Sequence, residues 1–273
     1  MRIETVTSAA NAKIKNLLLL QEKSRARKEQ GLFVVEGRRE LEHCLEGGFV
    51  PRTLFVCGEI LGSEIETVAL MAEKACAVSG SPLTLVQLPY ALYRKIALRE
   101  STEGVVAEIE SREKGLDALS LPSDPLVVVL ESVEKPGNLG AVLRSADAAG
   151  ADAVIVCDPL TDLYNPNLIR ASLGAVFTVP VAVASSAELI PWLKERGIRI
   201  LTAQLQDSSL YYDTPMTGPT ALVMGTESTG LTEAWRKAAD AHIRIPMLGM
   251  LDSLNVSVSA AILIFEALRQ RRG

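Results

Sequence analysis

Three short segments of this chain place glycines and polar side chains at spacings that suit ligand binding. Residues 136–144 read PGNLGAVLR, residues 225–230 read GTESTG, and residues 253–258 read SLNVSV. Glycine lets the backbone approach a ligand closely, and the first turn of a helix offers N–H groups that have no acceptor within the helix. Each segment alone indicates a ligand-binding loop and does not identify the ligand.

The first segment is open to two ordinary interpretations. It could be a simple strand-to-helix turn in which Asn138 caps the helix and Arg144 faces water. It could also begin a dinucleotide-binding unit, because a second apolar run and Asp158 follow it. Its glycines, Gly137 and Gly140, lack the Gly-x-Gly-x-x-Gly spacing of that unit. This spacing argues against a nicotinamide-dependent dehydrogenase.

The second segment could pass for a phosphate-binding loop. It lacks the Gly-Lys-Ser/Thr ending that supplies a lysine to phosphates, and it carries the acid Glu227 instead. A carboxylate suits a cationic or hydroxyl-rich ligand. Alternatively, Glu227 accepts hydrogen bonds only from N–H and hydroxyl groups of its own loop.

All three segments follow predicted strands, so the sheet decides whether they meet. From residue 116 onward, apolar runs alternate with helical patterns, which is typical of a parallel α/β sheet. The predicted strands are 126–130, 153–157, 198–202, 221–224 and 243–245, and the predicted helices are 138–149, 166–172, 186–195, 232–239 and 255–271. Ligands of such sheets bind beyond the carboxyl ends of the strands, where the three segments fall.

The first part of the chain predicts a smaller α/β unit. Its predicted helices are 8–29, 38–46 and 63–77, with another short helix between the last two strands, and its predicted strands are 32–35, 54–56, 83–88 and 105–109. A charged stretch at 108–117 and the turn-forming sequence SLPSDP at 120–125 then interrupt the pattern. We therefore expect two domains, 1–115 and 116–273.

Composition excludes some classes of protein. The chain has 273 residues, 48% of them hydrophobic and 22% charged, which predicts a globular protein with a core and excludes disorder as the main state. A net charge of −5 argues against a general polycation, so any RNA contact must come from local clusters of Lys and Arg.

The cysteines and the hydropathy pattern bear on location. Cys44, Cys57, Cys76 and Cys157 show no Cys-x-x-Cys spacing, which favours core cysteines in a reducing compartment and no metal site. The first residues lack the apolar segment of a signal peptide, and no stretch approaches the ~20 apolar residues of a membrane span. We expect a cytoplasmic protein without a membrane segment.

Taken in this order, the three segments resemble the SpoU/TrmH family of S-adenosylmethionine-dependent RNA ribose methyltransferases. Residues 165–175, NPNLIRASLGA, are similar to the family's Arg-x-Ser-x-Gly-Ala connector. The first domain, particularly KSRARK at 23–28 and FVVEGRR at 33–39, resembles the family's ribosomal-protein-like RNA-binding appendage. The resemblance implies a SPOUT fold, in which the parallel sheet carries a deep trefoil knot, and a homodimer.

The resemblance also implies residue roles. One set would contact S-adenosylmethionine: Gly225, Ile245, Met247 and Leu254, with Thr202, Ala203 and Gln204 on the adenosine side. A second set matches the family's polar active-site positions: Asn138, Arg144, Glu227, Ser253 and Asn255. The predicted RNA contacts are Lys23, Arg25, Arg27, Lys28, Arg38 and Arg39. Lys135 departs from the Asp that many members carry before the first segment's proline, which puts substrate contacts there in doubt.

The implied reaction is methyl transfer to a ribose 2′-hydroxyl, with Arg144 stabilising the developing oxyanion and positioning phosphate. Large-subunit rRNA is the expected substrate. A tRNA methyltransferase and a non-catalytic RNA-binding or ribosome-assembly protein of the same fold are the alternatives.

The predicted last helix, 255–271, is apolar almost all round. It therefore predicts burial between its own sheet and a second subunit, or else a central core helix in a monomer.

Overall fold

The computed structural model describes residues 1–112, 114–226, 228–251 and 253–273. The chain divides into two compact units. The N-terminal unit consists of Met1–Glu113 and Asp162–Thr178, and the C-terminal unit consists of Lys114–Thr161 and Val179–Gly273.

The N-terminal unit contains a five-stranded sheet in the order β1-β4-β3-β5-β2. Strand β5 is antiparallel to β2 and β3, whereas β1, β4 and β3 run parallel. Its elements are β1 (Arg2–Thr5), α1 (Ala12–Glu22), α2 (Ser24–Gln30), β2 (Leu32–Glu36), α3 (Arg38–Glu46), β3 (Pro51–Cys57), α4 (Gly58–Leu61), α5 (Glu64–Ser79), β4 (Thr84–Leu88), α6 (Tyr90–Ile96), β5 (Val105–Glu110), α8 (Pro166–Ser172) and α9 (Ala175–Thr178).

The predicted helix 8–29 is two helices. Lys23 ends α1 in an extended conformation (φ −109°, ψ 110°), and α2 then ends at Gly31, which has a left-handed φ of 63°. Helix α1 buries Ile14, Leu17 and Leu20, which recur every three residues and so share one face. The break was missed because no Pro or Gly marks it, and β1 was missed because only one of its four residues is apolar.

Residues 162–178 pack in the N-terminal unit although they lie far along the chain. The Tyr164 ring stacks on Phe33 with centroids 4.3 Å apart, and Phe177 stacks on the same ring at 5.8 Å. The Asp162 carboxylate lies 2.7 Å from Nε of the buried Arg27. The predicted domains, 1–115 and 116–273, placed residues 162–178 in the second domain. The sequence did not indicate otherwise, because a periodic pattern does not show which distant aromatic rings will meet.

The C-terminal unit contains a seven-stranded parallel sheet in the order β10-β12-β9-β11-β6-β7-β8. Its elements are β6 (Leu126–Glu131), α7 (Pro136–Ala149), β7 (Ala153–Cys157), β8 (Val181–Ala184), α10 (Ser186–Glu195), β9 (Arg199–Ala203), β10 (Ser209–Leu210), β11 (Thr220–Met224), α11 (Glu233–Ala238), β12 (Ala241–Arg244) and α12 (Val256–Arg272). Single 3₁₀ turns occur at Leu116–Ala118 and Tyr211–Asp213.

The α/β class is confirmed, and the five strands predicted for this unit are all present. Strands β6, β7 and β11 are buried along their whole length, as expected of strands covered on both faces. The short strands β8 and β10 were missed. Strand β8 has only four residues, with alanines alternating with valines, and strand β10 has only two residues. The knot stays a prediction.

Within this chain, helix α12 is buried along one side only, which argues against a central core helix in a monomer, and its burial against a second subunit stays a prediction. It packs against α7 and β11 and buries Val256, Ala260, Leu263, Ile264 and Ala267. Val258 and Phe265 remain 47% and 46% exposed. No helix in the described part of the chain is long and apolar enough to cross a membrane.

Candidate active site

A pocket of about 380 Å³ lies at the carboxyl edge of the parallel sheet. The loops that follow β9, β11 and β12 form most of it, and these three strands are neighbours in the order β12-β9-β11. The start of α12 closes one side. Its lining residues are Ala203, Gln204, Leu205, Gln206, Met224, Gly225, Thr226, Ser228, Thr229, Gly230, Leu231, Arg236, Ile243, Arg244, Ile245, Met247, Ser253, Leu254, Val256, Ser259 and Leu263.

Most of the residues predicted to hold the methyl donor line this pocket. They are Ala203, Gln204, Gly225, Ile245, Met247 and Leu254. Thr202 does not: its side chain is fully buried, and its Oγ1 lies 2.6 Å from Nδ1 of His242 on the adjacent strand. The Thr202 hydroxyl is therefore used in a contact between β9 and β12, and the residue does not line the pocket. Its predicted contact with the ligand is not supported by this position.

The turn at 225–230 closes so tightly that only glycine fits at its start. A Cβ on Gly225 would lie 2.3 Å from the carbonyl of Gly230. The Gly230 N–H donates to the Thr226 carbonyl at 3.0 Å, and Gly230 itself has a left-handed φ of 68°. The sequence signal at these glycines therefore reflects a close backbone approach that forms the pocket wall.

Two predicted polar residues meet at the helix starts beside the pocket. Asn255 is the N-cap of α12, and its Oδ1 accepts from the Ser257 N–H at 3.0 Å. Its Nδ2 donates to Oδ1 of Asn138 at 3.1 Å, near the start of α7. Ser253 lines the pocket three residues before the start of α12. The structure thus brings Asn138 and Asn255 into contact across 117 residues of chain.

Arg144 does not lie beside the Asn138–Asn255 pair. It lies six residues beyond Asn138 on α7, which places it about 9 Å further along the helix and about 120° around it. It is exposed and has no hydrogen bond or ion pair with any described residue. Glu227 lies outside the described residues. Lys135 is the exposed N-cap residue of α7.

Sequence reasoning missed a buried carboxylate that supports the second loop. Glu131, at the end of β6, is 2% exposed. Its two oxygens accept from the Thr232 N–H at 2.9 Å and the Thr232 hydroxyl at 2.7 Å, directly after the pocket residue Leu231. A single acid ending the apolar run LVVVLE was the available signal, because an acid there must find a donor when buried.

Cys157 lies beside this carboxylate, at the end of β7. Its Sγ is 3.2 Å from the Ser186 hydroxyl, and burial raises the thiol pKa to about 12. Trp235 Nε1 donates to the same hydroxyl at 3.0 Å. Cys157 is a buried thiol, so it is a core group with little thiolate at neutral pH.

Comparison with known proteins identifies the family. Residues 125–265 match the SpoU rRNA Methylase family, and residues 11–107 match an MRM3-like substrate binding domain. The chain is 31% identical to a 23S rRNA (uridine(2479)-2′-O)-methyltransferase of Streptomyces viridochromogenes over 97% of this chain and 92% of that protein. The chain belongs to the SpoU rRNA methylase family.

Two solved structures are similar to this chain over both of its units. The crystal structure of an RNA 2′-O ribose methyltransferase shares 38% identity, with a TM-score of 0.82 over 99% of this chain and 100% of that one. An AdoMet-bound rRNA methyltransferase from Sinorhizobium meliloti shares 30% identity, with a TM-score of 0.88 over 98% of each chain. The likeness therefore includes the substrate-binding unit as well as the methylase domain.

The predicted RNA contacts of this SpoU family member fall into two groups. Lys23, Arg25 and Lys28 are exposed on or beside α2. Arg38 and Arg39 begin α3 and are 41% and 53% exposed, although Arg38 pairs with Glu64. These five side chains are accessible to a polyanion.

Arg27 is the exception among the predicted RNA contacts. It is 4% exposed, and its guanidinium donates to the Leu20 carbonyl at 2.6 Å and to Asp162 at 2.7 Å. Its Nε and Nη1 atoms donate to acceptors within the protein. Burial of Arg27 does not support its predicted RNA contact. The side chain instead connects α1, α2 and Asp162.

Proposed function

We propose that this protein transfers a methyl group from S-adenosylmethionine to a ribose 2′-hydroxyl of large-subunit rRNA. The observation that carries the proposal is the pocket at the carboxyl edge of β9, β11 and β12, which contains six of the seven residues predicted to hold the donor: Ala203, Gln204, Gly225, Ile245, Met247 and Leu254. The family match and the rRNA methyltransferases among the relatives support the same conclusion.

The pocket suits a ligand of this size and chemistry. Its volume of about 380 Å³ falls in the range of roughly 300–1,000 Å³ typical of small-molecule sites. Apolar walls alternate with polar groups, and Gln204 Oε1 and Arg236 Nε are buried there without partners among the described residues. When bound, S-adenosylmethionine supplies an electrophilic methyl group on a sulfonium.

The chain's own polar residues would then serve the acceptor. The Asn138–Asn255 pair and Ser253 present hydrogen-bonding groups beside the pocket, suited to orienting a ribose hydroxyl. A guanidinium stays protonated in proteins, so the exposed Arg144 would stabilise negative charge and position an RNA phosphate. Glu227 keeps its proposed place among the active-site residues on the family resemblance alone.

The N-terminal unit would hold the RNA. Lys23, Arg25, Lys28, Arg38 and Arg39 place accessible positive charges on or beside two helices that are consecutive in sequence, α2 and α3, although Arg25 pairs with Glu29 and Arg38 with Glu64. Local clustering of this kind gives phosphate binding without a basic protein overall. The matched substrate-binding domain covers the same residues.

We also propose a homodimer through α12. Val258, Ile262 and Phe265 recur at i, i+4 and i+7 and so form one face, which the described chain leaves partly exposed. Leu254, 36% exposed, extends this apolar surface toward the pocket. A second copy of the helix would cover it, as expected for a two-fold interface.

Phe265→Asp tests the dimer. We expect the variant to stay folded but to be monomeric, because the dimer would bury an unpaired carboxylate in its interface. Light scattering measures the mass. Ile264→Asp is the contrasting variant, since Ile264 is fully buried within its own unit and its replacement should unfold the protein. A wild-type protein that is monomeric at micromolar concentration would contradict the proposal.

Methylation mapping tests the reaction. Mass spectrometry of rRNA and tRNA from cells with and without the gene should show one ribose methylation in large-subunit rRNA that depends on the gene. The purified protein should restore it on unmodified rRNA when S-adenosylmethionine is added. A lost methylation in tRNA would correct the substrate, and unchanged ribose methylation in both RNAs would reject the activity.

A further inference from the structure

The outward face of α6 carries an aromatic ring and two cations. The helix reads YALYRKI and contains no acid. Its buried residues are Leu92, Tyr93 and Ile96, and its exposed residues are Tyr90, Ala91, Arg94 and Lys95. Arg94 follows Tyr90 by four residues, so the ring and the guanidinium are neighbours on one side of the helix.

The two tyrosines of α6 differ in their surroundings. Tyr93 is fully buried, and its hydroxyl accepts a hydrogen bond from Thr102 Oγ1 at 2.8 Å. Tyr90 is 46% exposed, at the first position of the helix. Because Tyr93 fills the core side of α6, packing of the unit does not account for the exposed ring of Tyr90. That ring is accessible to a planar group outside the protein.

Helix α6 adjoins the end of α1 and the helix α2 that follows. Gln21 Nε2 donates to the Ile96 carbonyl at 2.7 Å, which joins the last turns of α1 and α6. The three helices also share a core, since Leu17 of α1, Ala26 of α2 and Leu92 of α6 belong to one hydrophobic cluster. The exposed cations of α2 and α6 therefore lie in one region of the surface.

The charges of this region, residues 21–30 and 90–96, favour a polyanion. Its five exposed cations are Lys23, Arg25, Lys28, Arg94 and Lys95, and its two exposed acids are Glu22 and Glu29. Glu59 accepts from the Tyr90 N–H at 2.7 Å, at the opposite end of α6 from Lys95. The exposed cations thus exceed the exposed acids by three, in a chain whose net charge is −5. Such an excess attracts phosphates.

We infer that the outward face of α6, together with α2, binds an unpaired segment of the substrate RNA. Arg94 and Lys95 contact phosphates, and the Tyr90 ring stacks on a base. Stacking of this kind needs a base that is outside a double helix, and every base offers a planar face. The inference rests on the proposed function. Helix α6 lies within residues 11–107, which match the substrate binding domain.

Filter binding to unmodified large-subunit rRNA over a salt series tests the phosphate contacts. The double variant Arg94→Gln/Lys95→Gln should lower the slope of log affinity against log salt by about 0.7–0.9 for each lost contact. Arg52→Gln/Lys74→Gln is the matched control, because it removes two exposed charges elsewhere in the same unit and should keep the wild-type slope. Arg94 Nη1 also donates to the Glu100 carbonyl at 2.5 Å, so Lys95→Gln alone is a second variant and should lose one contact.

Tyr90→Ala tests the stacking contact. It should weaken binding of the rRNA by about 5-fold or more without changing the slope, because stacking on a base involves no phosphate. Tyr90→Phe keeps the ring and should bind as tightly as the wild type. A fully paired RNA duplex, whose bases the ring cannot reach, should bind Tyr90→Ala and the wild type equally. Tyr212→Ala is the matched control, because Tyr212 is 47% exposed in the other unit, and it should match the wild type.

Other results would overturn the inference in distinguishable ways. If the α6 variants all bound rRNA as the wild type does, this face would serve another partner, such as a protein. If Tyr90→Ala weakened binding of the duplex as much as binding of rRNA, the ring would not stack on an unpaired base. A folded wild type without salt-dependent affinity for rRNA would reject the proposed function itself. Urea unfolding of each variant, and an unchanged Kd for S-adenosylhomocysteine, check that a changed RNA affinity reflects the α6 face.

Discussion

Two arginines show how differently the two units use the same side chain. In the N-terminal unit, Arg27 belongs to a basic run in the sequence, yet it is buried and bonded to Asp162 and to backbone carbonyls. In the C-terminal unit, Arg236 lies between Trp235 and Lys237 on α11, yet it lines the pocket, and its Nε has no partner among the described residues. Hydrogen bonds made within the protein identify Arg27 as a structural charge, whereas Arg236 belongs to the wall of a pocket.

The same contrast separates two acids that are hydrogen-bonded inside the protein from three exposed arginine and lysine residues. Asp162 and Glu131 accept several hydrogen bonds each and hold their units together. Arg144, Arg25 and Lys28 are exposed. Substitution of the first group should change stability, and substitution of the second should change function.

Asp162→Ala should have the largest effect on stability. Removing the carboxylate leaves the buried Arg27 without its partner, and breaking a buried pair in this way typically costs about 3–5 kcal/mol. Urea unfolding of the full chain measures it. Arg25→Ala is the control, because the ion pair of Arg25 with Glu29 is exposed. Its loss should change the free energy of unfolding by less than about 1 kcal/mol. Equal effects of the two changes would remove the distinction between them.

Arg144→Ala should fold and bind S-adenosylmethionine normally yet lose most methyl transfer. Loss of one group that stabilises a developing oxyanion typically lowers turnover by about 10²- to 10³-fold. Single-turnover transfer of labelled methyl groups to rRNA measures the rate, and calorimetry checks donor binding. Near-normal transfer would exclude Arg144 from the mechanism, whereas lost donor binding would assign it to the pocket.

Glu131→Ala should lower both the free energy of unfolding and the affinity for the donor. Two donors of Thr232 lose their buried acceptor, which costs about 1–3 kcal/mol, and the pocket loop before Thr232 loses its support. We expect a raised Kd for S-adenosylhomocysteine in the folded variant, with partial rescue by Glu131→Gln. Glu134→Ala, an exposed acid three residues later, is the control. An unchanged Kd would limit Glu131 to a stabilising role.

Joint replacement of Arg25 and Lys28 by Gln should have the mildest effect. Each lost phosphate contact lowers the slope of log affinity against log salt by about 0.7–0.9, without changing donor binding. Filter binding to rRNA fragments over a salt series measures this slope. Lys74→Gln, exposed on α5 of the same unit, provides the control. If both proteins showed the wild-type slope, the RNA would contact other residues.

Local signals explain what could be predicted. Helix α8 was placed at 166–172 without error, because Asn165 caps it, accepting from the Asn167 N–H, and Pro166 fits its first turn. Five of the seven strands of the parallel sheet were found because continuous apolar runs must be buried on both faces. The same signals carried no information on which unit α8 would join, since that depends on Tyr164 and Phe33, which are far apart in sequence.

The sequence by itself determined the alternation of strands and helices, the glycines of the second loop and the polar starts of α7 and α12, because each depends on neighbouring residues and backbone geometry. Tertiary structure alone decided that Thr202 contacts the adjacent strand while Gln204 lines the pocket, that Arg27 is buried, and that Asn138 meets Asn255. These outcomes depend on strand order and on partners far apart in the chain. Burial and hydrogen bonding are properties of the assembled surroundings, which no local pattern contains.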